Sequence, residues 1–201
     1  LQDNGGYVYN NASWKVYYGA DGMEAAISPT NSNLIYGMIQ NGNLYRSTNG
    51  GNSNQGLGRP EAGRWVTPMQ FDPNSNRIVA GYNDLHQYNG SAWSQLSTFN
   101  FPELLRSIEF YDGNSNVIYV ATDSRIYRTL NNGTNFAEVT NNLTGILGGN
   151  IITSIEVDPA DSMRVWVSIG GFADGVKVAH TANGGTTWTN VSGTLPNLPC
   201  N

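Results

Sequence analysis

One turn pattern recurs along this 201-residue chain, and the stretches between its copies alternate apolar and polar residues. The copies return at intervals of roughly 40 to 50 residues, the length of a four-stranded repeat. Together these observations predict an all-β fold: a β-propeller of four complete four-stranded antiparallel blades preceded by a partial N-terminal blade.

The clearest copy of the turn runs from Thr181 through Asn183, Gly184 and Gly185 to Trp188. A hydroxyl leads, Asn follows two residues later, glycines come next, and an aromatic opens the following strand. Asn and Gly tolerate the positive φ angles of a tight turn, and the Asn side chain bonds to nearby backbone. The recipe returns at Thr129, Asn131, Gly133 and Phe136. It is weaker at Ser47, Asn49 and Gly51, where no aromatic follows, and decayed at Tyr88-Asn89-Gly90-Ser91-Ala92-Trp93.

Taken in order, residues 1–19 read as the end of one blade: a strand at Gly6 to Tyr9, a turn at Asn10 to Ser13, and a second strand at Trp14 to Tyr18. Residues 20–63 form the first complete blade, with strands at Met23 to Ser28, Leu34 to Ile39 and Leu44 to Ser47. Its polar, Gly-rich stretch Gln55 to Gly63 is expected to be a loop. Residues 64–103 open with a strand at Trp65 to Phe71, turn at Asp72-Pro73-Asn74-Ser75-Asn76, and continue at Ile78 to Tyr82, Leu85 to Tyr88 and Trp93 to Leu96. Residues 104–149 hold strands at Leu105 to Phe110, Val117 to Ala121, Ile126 to Thr129 and Phe136 to Val139. Residues 150–201 hold strands at Ile151 to Val157, Val165 to Ser168, Val176 to His180 and Trp188 to Val191, then a linker. Asn33, Asn76, Asn116 and Met163 mark the same place in the four blades, in steps of 43, 40 and 47 residues. A β-sandwich also has regular short strands, but it does not require one strand order and one set of turn residues four times. No helix is expected beyond a single turn at Pro102 to Leu105.

Composition excludes several function classes. Charged residues make up 12% and the net charge is −5, which argues against nucleic acid or an anionic membrane as partner. No run is apolar and long enough to span a bilayer. Cys200 is the one cysteine, so no intrachain disulfide forms. His86 and His180 stand far apart without carboxylates at ligand spacing, so no metal site and no cofactor is expected. The chain begins at Leu1 in what reads as mid-strand and ends in what reads as a linker, so a piece of a longer protein is expected.

The turn resembles the Asp-box, or BNR repeat, Ser/Thr-x-Asp-x-Gly-x-Thr-Trp, with Asn49, Asn131 and Asn183 where that pattern has Asp. The blade order, with an Asp-Pro-type turn before the second strand and the box before the fourth, resembles the sortilin-like, xyloglucanase-like and photosystem-assembly-factor-like propellers. Gln2-Asp3-Asn4-Gly5, the Asp21-Gly22 step and Gly184 to Trp188 are most similar to large secreted or surface BNR-repeat proteins of Bacteroidetes-type bacteria, which often end in a sorting domain for type IX secretion. The resemblance covers nearly the whole chain. It implies a propeller whose boxes are peripheral and structural, a secreted or cell-surface location, and a polysaccharide or protein ligand.

In xyloglucanase-like propellers a catalytic Asp sits at the turn after a blade's second strand. Here that turn carries Gln40-Asn41, then Asp84, then Asp123. Asp21 and Glu24, beside the first strand of their blade, are further candidates. A glycosidase needs two such carboxylates facing one another across the sugar, and no pair stands out in the sequence. The same Asp residues also suit a plain turn, where the side chain caps the backbone. A sialidase would need three clustered arginines, and the eight here are dispersed. Trp65 and Tyr82, near loops, are candidates for stacking on sugars. The favoured reading is a non-catalytic binding or scaffolding segment. The alternatives are a xyloglucanase-like glycoside hydrolase and a peptide-binding propeller of the assembly-factor or receptor type.

Overall fold

The computed structural model describes residues 2–200. Among them lie one two-stranded and four four-stranded antiparallel sheets. The two-stranded sheet pairs β1 (Gly6–Asn10) with β2 (Ser13–Tyr18). The first complete sheet is β3 (Gly22–Ile27), β4 (Ile35–Ile39), β5 (Asn43–Ser47) and β6 (Gln55–Gly58). The second is β7 (Met69–Phe71), β8 (Ile78–Gly81), β9 (Leu85–Tyr88) and β10 (Trp93–Gln95). The third is β11 (Ser107–Phe110), β12 (Ile118–Ala121), β13 (Ile126–Thr129) and β14 (Ala137–Glu138). The fourth is β15 (Ile152–Asp158), β16 (Asp161–Ile169), β17 (Val178–Thr181) and β18 (Thr189–Asn190). Every sheet is a meander in chain order, as short turns between antiparallel strands require. The chain forms two compact units, residues 1–95 and residues 96–201.

Three sequence expectations are corrected. Gln55–Gly58 is a strand rather than loop, because it sits at the sheet edge where backbone pairing with β5 suffices and no core side chain is demanded. The Arg46 guanidinium donates to Gln55 Oε1 at 2.9 Å and adds a side-chain tie. The strand expected from Trp65 begins only at Met69, after Pro68. Trp65 and Val66 are exposed in the preceding loop. A five-residue helix, α1 (Leu143–Leu147), stands where none was expected. Its Leu143 and Leu147, one turn apart, are buried, and Gly148 ends it at φ 55.

In the first unit, Tyr36 and Met38 of β4 pack on Met69, Ile78 and Ala80 of the next sheet. In the second, Tyr119 and Ala121 of β12 pack with Ile155, Val157, Val165 and Val167. The second strands β8 and β12 are buried at every position, and β4 at all but its last. That is why they read as near-continuous apolar runs rather than alternating ones.

The recurring turns share one hydrogen-bond network. The leading hydroxyl of Ser47, Thr129 or Thr181 accepts the amide of Gly51, Gly133 or Gly185 at 2.9, 3.0 and 3.0 Å. It donates to the Oδ1 of Asn49, Asn131 or Asn183 at 3.0, 2.8 and 2.9 Å. That same oxygen accepts the amide four residues on, at 3.0, 2.9 and 2.9 Å. An Asp could accept these bonds equally. Asn adds a donor, which Asn49 gives to Ser53 Oγ and Asn183 to Thr187 Oγ1. Gly185 has φ 88, and a Cβ there would stand 2.6 Å from the Val139 carbonyl oxygen. Trp188 is buried behind it, its indole N–H donating to that carbonyl at 3.0 Å. Phe136 instead joins Phe99 and Phe101, with ring centroids 5.9 and 5.1 Å away.

Gly185→Ala is expected to destabilise the protein by about 1–3 kcal/mol, the cost of a left-handed non-glycine residue, as read from denaturant unfolding. Asn183→Asp should cost clearly less than Asn183→Ala in the same measurement, because only the Nδ2 donor is lost. Equal losses would show that the Oδ1 bonds do not carry the turn.

Candidate functional site

The turns after the second strands carry the candidate carboxylates. In the first unit the turn Tyr82-Asn83-Asp84 joins β8 to β9, and the loop 59–68 supplies Glu61 to it. Glu61 Oε2 accepts Asn83 Nδ2 at 2.9 Å. Its Oε1 accepts the Asp84 amide at 3.2 Å and lies 3.0 Å from His86 Nε2. Asp84 Oδ2 accepts Gln95 Nε2 at 3.0 Å from β10. The other oxygen, Oδ1, is buried without a hydrogen-bond partner.

The two neighbouring carboxyls are driven apart. Burial alone would raise the Glu61 pKa, but the bonds from Asn83, the Asp84 amide and His86 outweigh it and hold Glu61 below the usual range. Asp84 is pushed up, first by burial and then by the Glu61 charge. His86 and Gln95 offset part of that rise.

The loop carrying Glu61 is itself tied down. Arg59 Nη1 and the Gly63 amide both donate to the Asn41 carbonyl, at 2.9 and 3.2 Å. The Asn41 amide donates to the Trp65 carbonyl at 3.2 Å. Tyr82 is fully buried and its hydroxyl donates to the Gly42 carbonyl at 2.7 Å, so it presents no face to a sugar. Trp65, half exposed, does.

The second unit repeats the device with a different charge balance. Glu103 Oε2 accepts the Asp123 amide at 3.1 Å, and its Oε1 accepts Ser124 Oγ at 2.9 Å. Burial opposes ionisation of Glu103, and the bonds from Thr122 and Ser124 overcome it, so its pKa is lowered. Asp123 Oδ1 is ion-paired with Arg106 Nε. In the fourth sheet the corresponding loop holds Lys177, fully buried, whose Nζ donates to the Gly171 carbonyl at 2.8 Å and to Asn197 Oδ1 at 3.0 Å.

Asp21, just before β3, accepts the Asp3 amide at 2.7 Å. Glu24, on β3, is half-buried, and burial raises its pKa. No hydrogen bond or ion pair joins Asp21 to Asp84 among the described residues. Gln40, at the first of these turns, has its Oε1 buried without a partner. Sequence reading missed Glu61 and Glu103, which stand 23 and 20 residues before the turns they cap. No local pattern marks them, since both come from irregular loops. No group of three or more His, Cys, Asp or Glu among the described residues could hold a metal ion. No helix among them is long and apolar enough to cross a membrane.

No protein-family model matches the chain, and no curated protein matches it. Solved structures do. An ancestral GH74 enzyme is 20% identical with a TM-score of 0.75, over 98% of this chain and 30% of its own. The GH74 enzyme of Niastella koreensis is 16% identical with a TM-score of 0.72, over 98% and 35%. YCF48 from Cyanidioschyzon merolae is 16% identical with a TM-score of 0.62, over 92% and 65%. The chain thus spans about a third of the two GH74 structures and just under two thirds of YCF48. At such identities the likeness carries the fold: the chain is a partial β-propeller.

The raised pKa of Asp84 has a defined sign. Its contribution to stability is full below its ordinary value near 3.8 and is lost as pH rises through the folded value. Asp84→Asn should therefore raise the unfolding midpoint at pH 7, with the gain shrinking as pH falls toward 3.8. Glu61 has the opposite sign: its contribution is present above the ordinary 4.5 and lost as pH falls through its lowered value. Glu61→Gln should cost about 1 kcal/mol at pH 7, the worth of a net hydrogen bond, and progressively less in acid. Urea titrations of both variants across pH 3 to 7 check the two slopes.

Proposed function

We propose that the chain is a non-catalytic β-propeller segment that serves binding or scaffolding, as part of a larger secreted or cell-surface protein. The observation supporting this is that Asp21, Asp84 and Asp123 are each engaged by a neighbouring group of the chain. Asp123 is paired with Arg106, Asp84 is held by Gln95, and Asp21 caps the Asp3 amide. Glu61 and Glu103, the ionised members, serve as caps of tight turns. A polysaccharide or a protein segment is the ligand class. The Asn-type turns fit an Asp-box propeller, and the resemblance to surface BNR-repeat proteins supports the location.

A second reading, glycoside hydrolysis, draws on one specific observation. Asp84 is held toward its protonated form beside an ionised Glu61, the electrostatic pattern of an acid with a neighbouring carboxylate. The GH74 likeness of the fold agrees with it. The YCF48 likeness agrees equally with a peptide ligand.

The deciding experiment incubates the purified chain with xyloglucan and mixed-linkage β-glucan and measures released reducing ends. None above a heat-inactivated control is expected. Hydrolysis that falls at least a hundredfold in Asp84→Asn would replace the first reading by the second.

A further inference from the structure

The dipeptide Asn-Gly occurs at Asn4, Asn41, Asn49, Asn89, Asn132 and Asn183. Such a step can close on itself, because glycine has no Cβ to keep its amide nitrogen from the side-chain carbon of the asparagine before it. The fold treats these steps unequally. The glycine is buried in all of them except Asn89-Gly90, where it is exposed.

In the recurring turns the groups that would react are already engaged. The amide of Gly184 donates to the Met163 carbonyl at 2.8 Å, and that of Gly50 to the Asn33 carbonyl at 3.1 Å. The amide of Gly133 donates to Thr129 Oγ1 at 3.0 Å. The side-chain amines of Asn49 and Asn183, the groups that would leave, donate to Ser53 Oγ and Thr187 Oγ1 at 3.0 and 2.9 Å.

The turn between β9 and β10 is the reverse. Asn89, Gly90, Ser91 and Ala92 are all exposed. Neither the Asn89 side-chain amine nor the Gly90 amide donates a hydrogen bond among the described residues. Yet three donors converge on Asn89 Oδ1: the Ser91 amide at 3.0 Å, the Ser91 hydroxyl at 2.9 Å and the Ala92 amide at 3.1 Å. They polarise the side-chain carbonyl and stand where negative charge gathers on attack at Cγ, as in an oxyanion hole.

We propose that Asn89 is a site of spontaneous deamidation, with water as the co-reactant. The Gly90 amide nitrogen loses its proton to hydroxide and bonds to Cγ. The Cγ–Nδ2 bond breaks, ammonia leaves, and a succinimide remains. Water then opens the ring at either carbonyl, giving Asp or isoaspartate. The net change is asparagine plus water to a carboxylic acid plus ammonia, with nothing oxidised or reduced. The aspartyl product keeps the three donors and puts a negative charge on the residue before the carbonyl that Arg46 holds. Arg46, on β5, donates from Nη1 to the Gly90 carbonyl at 2.5 Å, and its guanidinium lies 5.7 Å from the Tyr88 ring centroid. Deamidation thereby turns a neutral turn into an anionic one and tightens the tie between the first and second complete sheets. The inference is independent of any ligand of the protein.

The test ages the purified protein at mildly alkaline pH, once folded and once in urea. Peptide mapping that separates aspartyl from isoaspartyl forms reads each Asn-Gly step. In the folded protein Asn89 should convert about tenfold faster than Asn49 or Asn183, the effect of one retained hydrogen bond. In urea that difference should vanish. Ser91→Ala should slow Asn89 about fivefold, for the loss of one donor to the developing oxyanion. Asn89→Asp should raise the unfolding midpoint at pH 7, and raise it less in an Arg46→Gln background. Equal rates at Asn89 and Asn183 in the folded protein, the same ranking in urea, or a product without isoaspartate would overturn the proposal. An unchanged rate in Ser91→Ala would remove the role of the donors, and an unmoved midpoint in Asn89→Asp would overturn the tightening.

Discussion

The hydroxyl–Asn–Gly network of the recurring turn is the constraint on which the sheets depend. One oxygen of Asn183 accepts both a hydroxyl and an amide, and the hydroxyl in turn accepts the Gly185 amide. The turn is thereby closed by its own side chains rather than by solvent. It can then be pressed against neighbouring backbone, as Gly185 is against Val139, the residue after β14. A Cβ at that glycine would collide with a carbonyl, so backbone conformation and close approach demand the same residue. The network is small, but in the first, third and fourth of the four-stranded sheets it sets where the third strand ends and the fourth begins.

Packing between sheets follows from that. The second strands β4, β8 and β12 are apolar and buried at every position but the last of β4, while the fourth strand β14 is exposed. Tyr36 and Tyr119 hold the same register position in their sheets and cover the next sheet in the same way. The fourth sheet departs from this: β16 alternates buried and half-buried residues along its last five positions.

At the opposite end of the strands, one device yields two electrostatic outcomes. An acid from an irregular loop caps the turn in both units, through Glu61 and through Glu103. Where Arg106 stands beside the turn Asp, the charge is neutralised. Where no such cation stands, Asp84 keeps an unpartnered buried oxygen and is pushed toward protonation. Asp123 has the Arg106 guanidinium as its partner, whereas Asp84 is bonded to the Gln95 amide.

The repeat, the strand order and the turn residues were legible in the sequence because they rest on local chemistry: alternation with period two, the positive φ of Gly, and Asn bonding to its own backbone. Edge strand β6 was not, because Gln55–Gly58 is held by backbone pairing that leaves no side-chain signature. Helix α1 was hidden by its length, five residues stabilised by burial of Leu143 and Leu147 rather than by helix propensity. Asp84 and Asp123 could be named from the turns they occupy, but not their surroundings. Glu61, Gln95 and Arg106 are brought beside them only by folding. Local pattern determines which elements form; the tertiary structure alone decides which side chains meet, because burial and charge depend on neighbours that sequence distance does not reveal.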